Sequence, residues 1–263
     1  MDELHSFARV QTFHDEIKNE LLLTHSYEPV DKDILIVVHN QLPYIRACLE
    51  SIQAATENYN LYVWDNASDE ETKNWLRTQA DIRTIKVLLR SEENLGFIVP
   101  NNELARLTKS PYIVLLNSDT VVSPGWDKAI VTHLQLGYAQ VGFSGGYVAA
   151  DFKGNTGGFG SGVDYIEGWA VGLTRGVYNN VGLFDSQNLR FAYGEDFDLS
   201  MRIKEAGYSV YALHLDLVKH FGHKTITEVA KTRDCRKSYE DNHLYLAGRW
   251  KSVLTAGADL CHK

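Results

Sequence analysis

"YIVLLNSDTVV", residues 112–122, decides how the rest of the chain is read. The apolar run from Tyr112 to Leu116 reads as a buried strand. It stops at Asn117, Ser118 and Asp119, and apolar character resumes at Thr120, Val121 and Val122. Asn and Asp often start turns by bonding their own backbone, so the triplet can be a plain turn. The functional reading has Asp119, pinned at a strand end, hold a divalent cation, which asks for a hard oxygen ligand and a few waters. The residues alone leave both readings open.

Upstream, "DILIVVHN" (33–40) is another short apolar run, and the amphipathic "YIRACLESIQAA" (44–55) follows Pro43. "NLYVWDN" (60–66) predicts a second strand, and "SDEETKNWLRTQ" (68–79) a helix with Ser68 and Glu71 in capping-box spacing. "IRTIKVLLR" (82–90) predicts a third strand, followed by the loop "SEENLG" (91–96) and a helix from about Phe97 to Leu107. Apolar strands alternating with helices imply a parallel sheet covered on both faces. Ligands of such sheets bind beyond the carboxyl ends of the strands. Three strand ends carry suitable groups: His39 with Asn40, Asp65 with Asn66, and Asn117 with Asp119.

Downstream, "SGGYVAADFKGNTGGFGSG" (144–162) holds seven glycines and predicts a mobile loop, either a lid or a passive segment. "DYIEGWAVGL" (164–173) predicts a strand, in which Trp169 is a large aromatic that can be core or face a cleft. "GEDFDLSMRIKEAGYSVYAL" (194–213) predicts a helix closed by Gly207 with a strand behind it. Residues 2–23 have helical spacing (Phe7, Val10, Ile17, Leu21), and a last helix is expected from about Asp234 to Trp250. Its basic residues, among them Arg236, Lys237 and Arg249, form a solvated face or touch an anionic partner or membrane surface.

The 263 residues suit one large domain or two small ones. Lys and Arg number 26 against 34 Asp and Glu, a net charge of −8 that disfavours nucleic acid as a partner. Three widely spaced cysteines argue against a disulfide framework and a thiolate zinc site. Acids near the N-terminus and no long apolar run predict a cytoplasmic protein with no transmembrane segment, at most peripheral at the inner membrane face. Neither a G-x-G-x-x-G after the first strand nor a P-loop is present.

Glu195, Asp196 and Asp198 open a helix, where acids are favoured by the dipole; one of them can instead serve as a general base in a cleft. His214, His220 and His223 are conceivable zinc ligands, but a single imidazole joining Asp119 on one cation fits the absence of a nearby thiolate better.

Taken in order, "VVHNQLPYIRACLESI", "VWDNASDEET", "ENLGFIVPNN", "LLNSDTVVSPGW", "VGLFDSQNLRFAYGEDFDLSMRIKEAGY" and "HFGHKT" resemble the family 2 glycosyltransferases, above all their rhamnosyltransferase-like, polysaccharide-building branch. The resemblance covers about residues 33 to 225. It implies an α/β GT-A fold, with a mostly parallel Rossmann-like sheet, helices on both faces and flanking terminal helices. The expected division is an N-terminal extension (1–30), a transferase domain (31–228, split into a nucleotide half, 31–119, and an acceptor half, 120–228) and a C-terminal helical segment (229–263).

The implied activity is metal-dependent, inverting transfer from a nucleotide-diphosphate sugar, UDP- or dTDP-linked, to a hydroxyl of a glycan or lipid-linked acceptor. The same resemblance puts His39, Asn40, Asp65, Asn94, Gly96, Phe97, Asn117 and Ser118 around the nucleotide. It makes Asp119 and His220 ligands of Mn²⁺ or Mg²⁺, Asp196, beside Glu195, the general base, and Trp169, unless it is core, an acceptor-side platform. Asn117 replaces the first Asp of the family's D-x-D pattern, and His39 stands where a small polar residue or tyrosine is more usual. Two rivals remain: a non-catalytic nucleotide- or glycan-binding module, and a sugar nucleotidyltransferase. The second lacks the basic glycine-rich loop it needs after the first strand.

Overall fold

The computed structural model describes residues 19–24, 30–149, 152, 154–222 and 236–260. After β1 (Asn19–Thr24) the first half alternates as predicted: β2 (Lys32–Val38), α1 (Leu42–Ala55), β3 (Tyr59–Asn66), α2 (Glu70–Asp81), β4 (Val87–Ser91), α3 (Ile98–Leu107) and β5 (Tyr112–Leu116). Then come β6 (Thr120–Val122), α4 (Trp126–Gln135), β7 (Gln140–Gly142), β8 (Gly145–Val148), β9 (Asn155–Gly158), β10 (Tyr165–Ile166) and β11 (Ala170–Thr174). The remaining elements are α5 (Arg175–Val181), α6 (Glu195–Glu205), β12 (Val210–Ala212), β13 (Val218–His220) and α7 (Arg236–Leu260).

Eight strands form the central sheet in the order β1-β4-β3-β2-β5-β11-β7-β12. The β4, β3, β2 and β5 neighbours are parallel, as are β7 and β12, while β11 runs antiparallel between β5 and β7. Alternate residues of each strand enter opposite layers. Ile34 and Ile36 pack with Ile45 and Leu49 of α1, Leu76 of α2 and Ile130 of α4. Leu35 joins Trp64, Leu115 and Leu104 of α3 on the other face, where Leu199 of α6 and Trp250 of α7 also pack. The near-continuous apolar character of these strands follows from burial on both faces.

Four expectations change. Residues 19–24 are a strand paired antiparallel with β4 rather than the end of a helix; extended backbone satisfies an edge that would otherwise be unpaired. Residues 2–18 of that expected helix lie outside the described residues. The glycine-rich segment is not a plain loop: β8 pairs with β9 and β10 in a three-stranded antiparallel sheet. The cap of α2 is Asp69, whose side chain accepts the Thr72 N–H at 2.8 Å, while Ser68 Oγ accepts the Asn40 N–H instead. "DYIEGWAVGL" is two strands, β10 and β11, with Glu167, Gly168 and Trp169 between them.

The last helix runs on to Leu260, and Asn242, Leu246 and Trp250 form its buried stripe. Arg236 and Lys237 are exposed and pair with Glu240 and Asp241, whereas Arg249 turns inward toward Asp185, Asp198 and Tyr245. Among the described residues, no helix is long and apolar enough to cross a membrane.

Asp33, fully buried, ties the start of β2 to the entry of β5. Its oxygens accept from Asn60 Nδ2 (3.1 Å), Ser110 Oγ (2.8 Å) and the N–H groups of Lys109 and Ser110 (both 2.8 Å). Asp33→Ala strands these buried donors, so we expect a loss of about 3 kcal/mol, read as a lower urea midpoint, with partial recovery in Asp33→Asn.

Candidate active site

One cavity of about 790 Å³ opens at the carboxyl ends of β2, β3 and β5. Asp119 enters it from the turn after β5. The turn is set locally: Thr120 Oγ1 donates to the Asn117 carbonyl at 2.7 Å, and the Asn117 N–H donates to the Trp169 carbonyl at 2.8 Å. The resumed strand, β6, pairs antiparallel with β13, Thr120 opposite His220, and the Phe221 N–H bonds the Asp119 carbonyl at 2.9 Å. This sets His220 Nε2 at 3.1 Å from Asp119 Oδ1, across a sequence gap of 101 residues.

Trp169 stacks on His220, with centroids 5.0 Å apart and planes 18° apart, and its Nε1–H donates to Glu167 at 2.7 Å. One face of the indole is thus committed to holding the imidazole. Asn117 Oδ1 is buried and, among the described residues, has no hydrogen-bond partner. His214, by contrast, stacks on Phe159 at 4.2 Å and does not line the cavity, and His223 lies outside the described residues. Among the described residues no group of three or more His, Cys, Asp or Glu could hold a metal.

Asp119, His220 and the orphaned Asn117 oxygen nonetheless fit a divalent cation. Such an ion takes one or two protein ligands and completes its shell with substrate phosphates and water. Among the described residues lining the cavity there is no Lys or Arg to meet a diphosphate instead.

Glu195 and Asp196 begin α6, after Gly194 at φ 87°. Asp196 accepts from its neighbour's backbone, the Phe197 N–H at 2.8 Å, and from the Gly168 N–H at 3.2 Å. Burial pushes its pKa up, and these two donors oppose the rise. Glu195 Oε2 has no partner among the described residues, and burial, then the Asp196 charge, pushes its pKa up to about 8 against backbone donors that lower it. Burial thus pushes the pKa of both adjacent carboxyls up, and two charges side by side disfavour each other's ionisation. Asp198 points elsewhere, to Trp250 Nε1 at 2.9 Å and Arg202 Nε at 2.6 Å, and ties α6 to α7.

On the nucleotide side expected from the sequence, His39, Asn94, Gly96, Phe97, Asn117 and Ser118 line the cavity; Asn40 and Asp65 do not. Asp65 is fully buried and pairs with Arg90 and the Ser68 N–H, and Asn40 bonds the backbone of Asp69 at 2.8 Å. Successive strand residues face opposite sides, so Asn66 takes the cavity wall that Asp65 cannot. Asn66 shapes that wall by accepting from the Leu95 N–H and donating to Asn94 Oδ1 and the Gly96 carbonyl. His39 Nδ1–H donates to the Asn66 carbonyl at 2.7 Å, which leaves Nε2 as the acceptor of the neutral ring. Gly96, at φ 82°, is required: a Cβ there would collide with the Phe191 carbonyl, which also receives the Phe97 N–H at 2.7 Å.

Sequence reading missed the residues of the loop 190–194 and of α7. Asn242, fully enclosed, donates from Nδ2 to the carbonyls of Arg190, Ala192 and Tyr193 (2.9 to 3.0 Å) and accepts the Arg190 N–H at 2.8 Å. It clamps a loop in which Phe191 and Tyr193 both have positive φ, directly before Glu195. The one available signal was an Asn in the buried stripe of an otherwise amphipathic helix.

The Glu195 shift has a sign. A folded-state pKa raised from 4.5 to about 8 gives stability that is complete below 4.5 and lost as pH rises through 8. Glu195→Gln removes this dependence, so its Tm should gain on wild type between pH 5 and pH 9. Parallel Tm curves for the two proteins would show that Glu195 is ionised throughout.

Residues 33–159 match the family described as Glycosyl transferase family 2. Among curated proteins, uncharacterized proteins of Mycobacterium tuberculosis and Mycobacterium bovis are 30% identical over 147 residues, covering 51% of this chain and 56% of theirs. The chain thus matches only about half the length of these relatives. Among solved structures, GalNAc-T7 with UDP, GalNAc and Mn²⁺ superposes with a TM-score of 0.63 at 14% identity, covering 74% of this chain and 44% of that one. The mannosyltransferase PcManGT from Pyrobaculum calidifontis, in complex with GDP-Man and Mn²⁺, gives 0.59 at 14% identity, covering 97% and 80%. S. aureus TarS 1–349 in complex with UDP-GlcNAc gives 0.55 at 13% identity, covering 72% and 57%. The match to the glycosyl transferase family 2 model spans just under half of the chain, and the sheet order and strand ends are those of a GT-A fold, as in these similar structures.

Proposed function

We propose that the protein transfers a sugar from a nucleotide-diphosphate donor, UDP- or dTDP-linked, to an acceptor hydroxyl with inversion at the anomeric carbon. The observation that carries this reading is the opening of two separate clusters, Asp119 with His220 and Glu195 with Asp196, onto one cavity. The occupants of similar folds support it, since those structures hold UDP, GDP-Man or UDP-GlcNAc, two of them with Mn²⁺.

In this reading the acceptor oxygen attacks the anomeric carbon as the bond to the diphosphate breaks, and Asp196 takes the acceptor proton. Two backbone donors hold the Asp196 carboxylate in one orientation. His39, Asn66 and Asn94 supply hydrogen-bonding edges for the base and ribose, while Gly96 allows close backbone approach. Asp119 and His220, with Asn117 beside them, would hold Mn²⁺ or Mg²⁺, whose charge stabilises the leaving diphosphate. Trp169 keeps His220 from rotating out of that position.

The first test is thermal stability with UDP, dTDP, GDP and CMP, each with and without Mn²⁺. At least one nucleotide should raise Tm in a metal-dependent way in the wild-type chain, and Asp119→Ala should lose the metal-dependent part. No shift with any nucleotide would overturn the donor site. Asp196→Asn should keep the nucleotide shift while turnover falls roughly 10²- to 10⁴-fold. Wild-type turnover in this variant would remove Asp196 from the base role.

A further inference from the structure

The last helix walls one side of the cavity with aromatic rings. Tyr239 and His243, one turn apart on α7, present near-parallel rings with centroids 6.2 Å apart and planes 16° apart. Tyr193, three residues before Asp196, meets Tyr239 edge-on at 5.8 Å and 84°, and Phe152 packs against His243 at 5.3 Å. The rings form a corner rather than a core: Tyr239 is 51% and Tyr193 38% exposed, although both line the cavity. The corner is also held in place. Tyr193 sits at φ 78°, a strained value for a bulky residue, and Asn242 fixes its carbonyl at 3.0 Å.

Resting on Asp196 as the base of the proposed transfer, we propose that this corner is the acceptor subsite and takes a neutral sugar ring. A pyranose has one face of C–H bonds and a rim of hydroxyls, and polarised C–H groups favour the negative face of an aromatic ring. Tyr239 and His243 supply the face, and Tyr193 closes the corner on the side from which the chain runs into Asp196. Charge argues for a neutral ligand, since the described cavity residues include Asp119, Glu167, Glu195 and Asp196 but no Lys or Arg. A nucleobase also stacks on aromatic rings, but the edge groups a base needs, on His39, Asn66 and Asn94, stand at the strand ends rather than in this corner. Trp169, the platform expected from the sequence, has a face committed to His220. The acceptor wall therefore comes from the C-terminal helix.

The test uses the full chain, saturated with the nucleotide and Mn²⁺ that raise its Tm, and methyl glycosides of glucose, galactose, mannose and rhamnose as probes. Saturation-transfer NMR should detect at least one glycoside on the wild-type protein. Tyr239→Ala and His243→Ala should each weaken its Kd about tenfold, while Tyr239→Phe, which keeps the ring, binds as wild type. Failure of all four glycosides to bind, or unchanged binding in both alanine variants, would overturn the proposal. Loss of the nucleotide-dependent Tm rise in Tyr239→Ala would assign the corner to the base and overturn it equally. Wild-type protein that binds a glycoside at this corner but no nucleotide would keep the sugar site and remove the transferase reading.

Discussion

The antiparallel pairing of Thr120–Val122 with Val218–His220 is the constraint on which the site depends. Only two short strands are involved, yet they fix a carboxylate and an imidazole within 3.1 Å of each other although their positions are 101 residues apart. The pairing works because each side is anchored. β5 is buried in the central sheet just before the turn, and Trp169, at the mouth of the neighbouring β11, lies flat on the His220 ring. The Asn-Ser-Asp break in an apolar strand is therefore a handover, from a strand of the large sheet to a strand of a small one, with Asp119 at the joint.

The second pillar is the last helix. Asn242 shares its two Nδ2 hydrogens among three carbonyls and accepts one N–H of a loop in which Phe191 and Tyr193 take left-handed backbone conformations. Trp250 and Arg249 reach Asp198, so the helix that carries Glu195 and Asp196 is tied to α7 at both the loop and its first turn. A segment that reads as an appendage by composition is thus part of the wall around the carboxylate pair, and its buried polar groups are matched by hydrogen bonds rather than left unpaired.

Electrostatics in the cavity follow from burial. Asp196 accepts two backbone N–H groups, Glu195 Oε2 has no partner among the described residues, and burial pushes the pKa of both carboxyls up. Tyr165 feels the same surroundings, its hydroxyl pushed up to about 12 by burial and by Glu167 and Asp196, and it stays neutral at the cavity floor. Cys48, beneath the Asn117 turn, is likewise pushed up to about 12 by burial and acts as packing, not as a nucleophile.

Much of the fold was legible because its signals are local. Apolar runs bounded by polar residues marked β2, β3 and β5, helical spacing marked α1 and α3, and Gly207 closed α6 where expected. Position along a strand located the polar ends at His39, Asn117, Ser118 and Asp119. It did not say which face each residue would take, which is why Asn66 and not Asp65 lines the cavity. The glycine-rich stretch read as a loop because glycine carries no strand preference; only partner strands made 145–148 and 155–158 a hairpin. Residues 19–24 likewise became a strand only because β4 offered an unpaired edge. By itself the sequence determined the alternating α/β order and the polar strand ends, since both arise from neighbours a few residues apart. The tertiary structure alone decided that His220 meets Asp119, that Asn242 clamps the approach to Asp196 and that α7 supplies the aromatic corner, because these depend on contacts whose partners are tens of residues distant in the chain.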